Sequence, residues 1–518
     1  MLERRDRVVI GLLVLVNLTA VAWFFAHWAG LPDWSVHPVM FAIASLIVLY
    51  RLGGYAVHWA LLPFMRTPGP APRLERPLRV GVATTFVPAS ESLAMLERTV
   101  RSLVEMEGGH DTWVLDEGDD ARVREMCRDA GARYFTRRGH PHYNTDGGPF
   151  RARTKYGNYN AWLDSVGFDA YDAIVTFDPD HVPSSDYLTE TLGYLVDEDV
   201  AFVQPPQVYY NQRASMVARG AAEETYAYYS SGQMAAYGMG YPIVTGCHTV
   251  HRSTALEEIG GLPAHDADDL LSSLLYRTSG WRGVYVPRIL ARGLTPVDWH
   301  GYLRQQRRWA RSVLDIKLRE WPRRVGRMPF RERVFSGLHG LYYVRGLSSL
   351  AEIMLLGFMA ATGIIPAFVS YTTGVHALAM FGTLVVTDFY RQRFYLDRRR
   401  EWGLHWRASL LQLAKWPQLV VAVWQVLRGV DRPFVVTPKT LQAGDAGPPT
   451  LLTRPHLATL GFFAVCVALG LAFGRDVHPL VYVGIGVMAA TIGILLGTAM
   501  RVPPPAFDPA IPVTAPPE

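Results

Sequence analysis

Residues 173–180 read AIVTFDPD, a short β-rich run that ends on two aspartates with a proline between them. β-Branched and aromatic side chains suit a pleated backbone, and residues two apart in an extended chain face the same side. Asp178 and Asp180 therefore converge on one point, where paired carboxylates can hold a hard divalent cation. Read alone, Asp-Pro-Asp is also a turn starter. The flanking sequence has to separate these readings.

From 78 to 290, strand-like and helix-like patterns alternate. Residues 79–86 (RVGVATTF) form a β-rich run, after which Leu93, Leu96, Val100, Leu103 and Val104 fall on one helical face. Further strand candidates are 112–115, 133–136, 173–177, 201–203 and 283–286. This alternation predicts an α/β fold, an open and largely parallel sheet covered by helices, with ligands bound beyond the carboxyl ends of the strands. Asp116 closes one strand (TWVLD), as Asp178 and Asp180 close another.

Three further clusters carry chemistry. Lys155, Gly157, Asn158 and Asn160 spell KxGNxN: a point charge for phosphate, a glycine that allows close backbone approach, and amides that donate and accept. The same residues also suit a turn with a surface lysine. Asp266, Asp268 and Asp269 stand before LLSSLLY, where aspartates can cap a helix or one of them can take a proton from a hydroxyl. Gln305 to Trp309 (QQRRW) offers arginine for a diphosphate and tryptophan for a sugar face, although a basic helix lying on a membrane would look similar.

With 518 residues, 49% of them hydrophobic and 19% charged, the chain is too apolar for a disordered protein and too long for a disulfide-stapled miniprotein. The net charge of +5 is spread over the polar middle and the edges of apolar runs, a pattern that fits a membrane face and argues against nucleic acid. Cys127, Cys247 and Cys466 are far apart and odd in number, which predicts reduced thiols and neither a disulfide framework nor a zinc site.

The apolar residues concentrate at both ends. Six spans are expected, at 8–26, 39–62, 350–369, 375–390, 457–473 and 480–500. Arg51 interrupts the second, and Glu352 lies in the third. Arg4, Arg5 and Arg7 precede the first span and five arginines lie within 391–400, whereas 27–38 and 346–390 have no Lys or Arg. The positive-inside rule then places both termini and the polar block on the cytoplasmic side of the cell membrane, with Arg475 the exception. Residues 405–428 read as an interfacial amphipathic helix and 503–518 as a disordered proline-rich tail.

The order of these motifs resembles a membrane-embedded family-2 glycosyltransferase of the cellulose synthase type. Residues 434–439 (FVVTPK) add the FxVTxK pattern of that group's gating loop. The resemblance covers roughly 78–442. It implies a Rossmann-like GT-A domain (66–330) between an N-terminal helical pair (1–65) and a C-terminal part (331–502) of interfacial helices, gating loop and four spans. The implied activity is processive, inverting polymerisation of a β-linked glucan from a UDP-sugar, UDP-glucose foremost, with translocation of the product.

Carried over residue by residue, Thr84, Thr85, Glu91, Asp116 and Lys155 would contact the nucleotide. Asp178 would contact nucleotide and cation, and Asp180 would complete the Mg²⁺ or Mn²⁺ site. Asp269 would be the catalytic base, since its spacing to Gly280 of the Gly-Trp pair favours it over Asp268. Gln305, Arg308 and Trp309 would bind diphosphate and acceptor, and Thr437 and Lys439 would contact substrate from the gating loop. Implied partners are the donor, the growing glycan, the bilayer and an outer-face accessory protein.

Two departures stand out: Ala267-Asp268-Asp269 replaces the family's Thr-Glu-Asp, and TTFVPASE replaces a PTYNE-like turn. The tail is also too short for the cyclic-dinucleotide-binding barrel that some members append. Alternative activities are an N-acetylhexosamine polymer synthase and single addition to a lipid carrier. A catalytically dead scaffold or a transporter is the alternative from another class.

Overall fold

The computed structural model describes residues 3–88, 91–430, 450–501, 503–505 and 507–513. The gating-loop pattern, with Thr437 and Lys439, lies outside the described residues.

Ten strands are described: β1 Val80–Phe86, β2 Asp111–Asp116, β3 Arg133–Phe135, β4 Ala173–Phe177, β5 Val182–Pro183, β6 Val200–Gln204, β7 Val208–Tyr209, β8 His248–Arg252, β9 Arg282–Tyr285 and β10 Ala291–Gly293. Seven make one sheet in the order β3-β2-β1-β4-β8-β6-β9, and β5-β10-β7 make a small second one. Strands β1 to β4 are mutually parallel, as are β6 and β9, whereas β8 runs antiparallel to both its neighbours. Side-chain alternation gives each face of the sheet its own core. Val82, Val175 and Phe177 pack on one side, while Ala83 and Ile174 join Tyr159, Trp162 and Phe202 on the other.

The antiparallel β8 was absent from the expected strands. Its sequence, HTVHR, carries one aliphatic residue among polar ones, so period-two hydrophobicity cannot reveal it. Its direction matters for the site: His248, at the start of β8, pairs with Phe177, at the end of β4. The loop entering β8 thereby lies beside Asp178, whose N–H donates to the Cys247 carbonyl at 2.7 Å.

Between β3 and the helix Lys155–Trp162 the chain wraps around one buried guanidinium. Arg137 donates to both carboxylate oxygens of Glu117 (2.9 and 2.7 Å) and to the carbonyls of Tyr143, Phe150 and Arg151. Removing one member of a buried ion pair strands the other and costs about 3–5 kcal/mol. Arg137→Met is accordingly expected to lower the thermal unfolding midpoint of the purified chain by several degrees, whereas a midpoint unchanged from wild type would deny Arg137 this organising role.

Among the described residues, four helices are long and apolar enough to cross a membrane: Arg4–Ala29, Phe330–Thr362, Thr450–Ala472 and Pro479–Ala499. The second expected span falls on the helix Pro38–Ala60, whose apolar part is the shorter stretch Pro38–Gly54. The expected span at 375–390 lies within the helix Tyr371–Arg391, which packs on Arg4–Ala29 and receives a hydrogen bond from Asn17 to Thr387 Oγ1 at 2.8 Å. The stretch expected to be one interfacial helix is two, Trp406–Ala414 and Trp416–Leu427, bent by 46°. Lys415 stands at the break, and Pro417 opens the second helix, where its missing N–H costs nothing. Taken together this bent pair is also apolar enough for a broken span or a re-entrant loop.

Glu352 pairs with Arg51 at 2.5 Å, so the charges of two helices offset each other. The tail expected to be disordered has an anchor among its described residues, because Arg98 donates to the Ile511 carbonyl at 2.8 Å and stands over the Phe507 ring.

Candidate active site

The carboxyl ends of β1 and β4, the loop before β8 and the starts of two helices enclose one cavity of about 1270 Å³. Thr85, Glu91, Lys155, Asp178, Asp180, Asp269, Gln305, Arg308 and Trp309 all line it. These residues span more than two hundred positions in sequence. The cavity continues beyond them to Arg51, Leu384 and Arg391 of the helical region.

Lys155 begins its helix behind the N-cap Thr154. Its ammonium donates to Asp178 Oδ1 and to the Gly246 carbonyl, both at 2.6 Å. Burial works against this charge, but Asp178 and then Asp268 more than compensate and hold the pKa above the ordinary lysine value. Asp180 is buried, accepts from the Leu294 N–H at 3.1 Å, and lies 3.4 Å from His181 Nδ1. Asp178, Asp180 and His181 each offer a ligand atom within 4.8 Å of the others, a donor set that fits a divalent cation.

Asp268 and Asp269 open the helix Asp268–Thr278. The N-cap position falls on Ala267, while Asp268 Oδ1 accepts from the Asp269 N–H at 3.1 Å and Asp269 Oδ1 from the Leu270 N–H at 2.7 Å, so both aspartates satisfy first-turn N–H groups at the helix start. Burial first, and then the Asp268 charge, push the Asp269 carboxyl up to about 7. That value suits a group that must take up a proton near neutrality. Beside it, Cys247 would be raised by burial, yet His248 and His181 draw its thiol down to about 6.

Residues 81–312 match a family model described as glycosyltransferase-like family 2. They form a family-2 glycosyltransferase domain. Among curated proteins, this chain is 27% identical over 330 residues to the cellulose synthase 1 catalytic subunit (UDP-forming) of Komagataeibacter xylinus, covering 61% of this chain and 42% of that protein. It is 29% identical over 333 residues to the cellulose synthase catalytic subunit of Xanthomonas axonopodis pv. citri (strain 306), covering 61% and 43%. The chain thus spans less than half the length of these relatives. Among solved structures, mannosyltransferase PcManGT from Pyrobaculum calidifontis, in complex with GDP-Man and Mn²⁺, is 17% identical with a TM-score of 0.49, over 75% of this chain and 99% of that one.

Within the glycosyltransferase domain, several expected residues turn inward. Asp116 is fully buried and is not among the cavity-lining residues. Its carboxylate accepts from the N–H groups of Gly118 (2.8 Å) and Asp120 (2.6 Å) and from the Tyr134 hydroxyl (2.9 Å), which ties down the loop after β2. Thr84 is likewise buried and off the cavity wall, whereas Thr85 faces it. Glu91 reaches the wall while accepting from the Val87 N–H at 2.8 Å.

KxGNxN lies on a helix, so the turn reading is corrected. Asn158 donates to the Leu115 carbonyl, and Asn160 clamps Leu262 through both its N–H and its carbonyl. Gly157 is needed because a Cβ there would sit 2.2 Å from the Arg151 carbonyl oxygen, so the close approach is to the chain itself rather than to a ligand.

Other residues of the domain site escaped sequence reasoning. His181 follows the aspartate pair directly, and its position as DPDH was the available signal. Glu117 lines the cavity but is held by Arg137. Gly246 has φ +71°, and a Cβ on it would lie 2.9 Å from the Asp269 Cβ. Gly246→Ala therefore combines left-handed strain with a push on Asp269, and catalytic geometry is sensitive to such shifts. The expected result is a fall in kcat on the order of tenfold, measured at saturating donor. An unchanged kcat would show that Asp269 needs no such seat.

Proposed function

We propose that the chain is a membrane-embedded inverting glycosyltransferase that extends a β-linked polysaccharide from a UDP-sugar, UDP-glucose foremost, and passes the product between its helices. The observation that carries this reading is the single cavity shared by Asp178, Asp180, Asp269, Arg308 and Trp309 and continuous with Arg51 and Leu384 of the helical region. The curated relatives named above are UDP-forming cellulose synthases, which supports the choice of donor.

In this reading the Asp269 carboxylate accepts the proton of an acceptor hydroxyl as its oxygen attacks the anomeric carbon of the donor. One direct displacement inverts that carbon and needs no covalent enzyme intermediate. Lys155 and Arg308 orient the departing diphosphate, and Trp309 offers an aromatic face to the acceptor sugar. Asp178, Asp180 and His181 would hold a Mg²⁺ or Mn²⁺ ion, which neutralises charge developing on the leaving diphosphate. The cavity also favours an enzyme over a dead scaffold, since the acidic, basic and aromatic groups needed for transfer share one space.

The proton acceptor sets a pH dependence. Asp269 is competent only when charged, so kcat/KM is expected to fall by about tenfold per pH unit below about 7. A profile that stays flat across that value, at saturating cation, would remove Asp269 as the titrating base. Membrane vesicles offered a panel of labelled nucleotide sugars test the function itself. The expected product is a polymer labelled from a UDP-hexose and cut by β-specific glycosidases, whereas a single-sugar lipid product would replace polymerisation with single addition.

A further inference from the structure

We propose that Cys247, His181 and His248 form a second cation site, built for a thiophilic divalent ion of the zinc type and separate in chemistry from the Asp178 and Asp180 carboxylates. The antiparallel return of β8 creates it. His248 pairs with Phe177, which brings the loop residue Cys247 alongside the segment that leads to His181. The three residues each offer a ligand atom within 4.8 Å of the others, and all three are buried. The His181 and His248 rings lie 5.4 Å apart and are tilted by 36°.

Two nitrogens point to a ligand. His248 Nε2 faces the Pro206 carbonyl at 3.1 Å, a contact that assigns its proton to Nε2 and leaves Nδ1 with a lone pair. Among the described residues, that Nδ1 is buried with no hydrogen-bond partner; His181 Nδ1 is buried and without a hydrogen bond as well, with Asp180 Oδ1 3.4 Å away. An imidazole oriented through its other nitrogen by a backbone carbonyl is the usual arrangement of a metal-ligating histidine. One sulfur and two imidazole nitrogens select zinc-like ions, whereas Mg²⁺ and Mn²⁺ prefer oxygen. His181 and Cys247 also line the cavity, which gives an ion a way in and leaves one coordination position open. His181 is common to both sites, so filling the thiolate site draws its imidazole away from the carboxylates.

The test uses the full chain, tag-free, reduced and in lipid nanodiscs, titrated with Co²⁺ in excess Mg²⁺. A thiolate-to-cobalt charge-transfer band that saturates at one equivalent and is displaced by Zn²⁺ is expected. In Cys247→Ser, which retains Cys127 and Cys466, the band should vanish. In His248→Asn, Co²⁺ affinity should fall at least about tenfold. Absence of the band from folded wild-type protein, its persistence in Cys247→Ser, or unchanged affinity in His248→Asn would each overturn the proposal.

Discussion

Asp269→Asn is expected to reduce turnover by about 10²–10⁴-fold while UDP binding persists. The amide keeps the shape of the side chain and can still accept from the Leu270 N–H, so the helix start should be unchanged. What disappears is the negative charge, and with it the basicity needed to take the acceptor's proton. Stability should move the other way. Burial and Asp268 raise the carboxyl of Asp269 to about 7, so the folded state disfavours its charge. Stability is therefore lost as pH rises from the ordinary aspartate range through about 7, and the neutral asparagine escapes that loss. Above neutral pH the variant should unfold at a higher temperature than wild type. Wild-type turnover in the variant would contradict the role, and loss of both turnover and thermal stability would point to a structural residue instead.

The second large effect is expected at Asp180. Its carboxylate is buried, with the Leu294 N–H on one oxygen and His181 near the other. Asp180→Asn preserves an acceptor for Leu294 but removes one of two anionic ligands. Loss of a residue that merely supports a metal ligand costs 10–100-fold in affinity, so loss of a ligand charge should weaken Mn²⁺-dependent UDP binding by about 10²-fold or more. Calorimetric titration of UDP at fixed Mn²⁺ measures this directly. Equal affinity in variant and wild type would show that the cation is held elsewhere. Asp116→Asn offers a contrast, since the Asp116 carboxylate serves only its own loop and Tyr134 among the hydrogen bonds above.

The parallel half of the sheet was legible because its strands are β-rich runs, two of which, β2 and β4, lead into aspartates, and the helix Leu93–Val104 because its buried residues recur at helical spacing. β8 was hidden by its histidines and threonine, and with it went everything that the antiparallel return brings to Asp178: Gly246, Cys247 and His248. Aspartates were legible as strand ends but not in their direction. Asp116 turns onto the N–H groups of a Gly-Asp-Asp turn, a local contact that no spacing rule distinguishes from ligand binding. Lys155 and Asn158 belong to one motif, yet the first reaches Asp178 and the second is bonded to Leu115. Helix phase sorted them, and that phase depended on a helix the sequence had equally suggested was a turn. Lys415, inside the stretch 405–428 that reads as one amphipathic helix, is buried and bridges Glu224 and Gln306, so it links the helix break to the Gln305–Trp309 segment.

The most direct test is a structure of Asp269→Asn in nanodiscs with UDP and Mn²⁺. Density for the diphosphate is expected in the cavity between Asp178 and Arg308, with cation density against Asp180 and His181 and with residue 269 facing the space beside Trp309. UDP bound outside this cavity, or bound equally well without a divalent cation, would contradict the assignment of these residues to one glycosyl-transfer site.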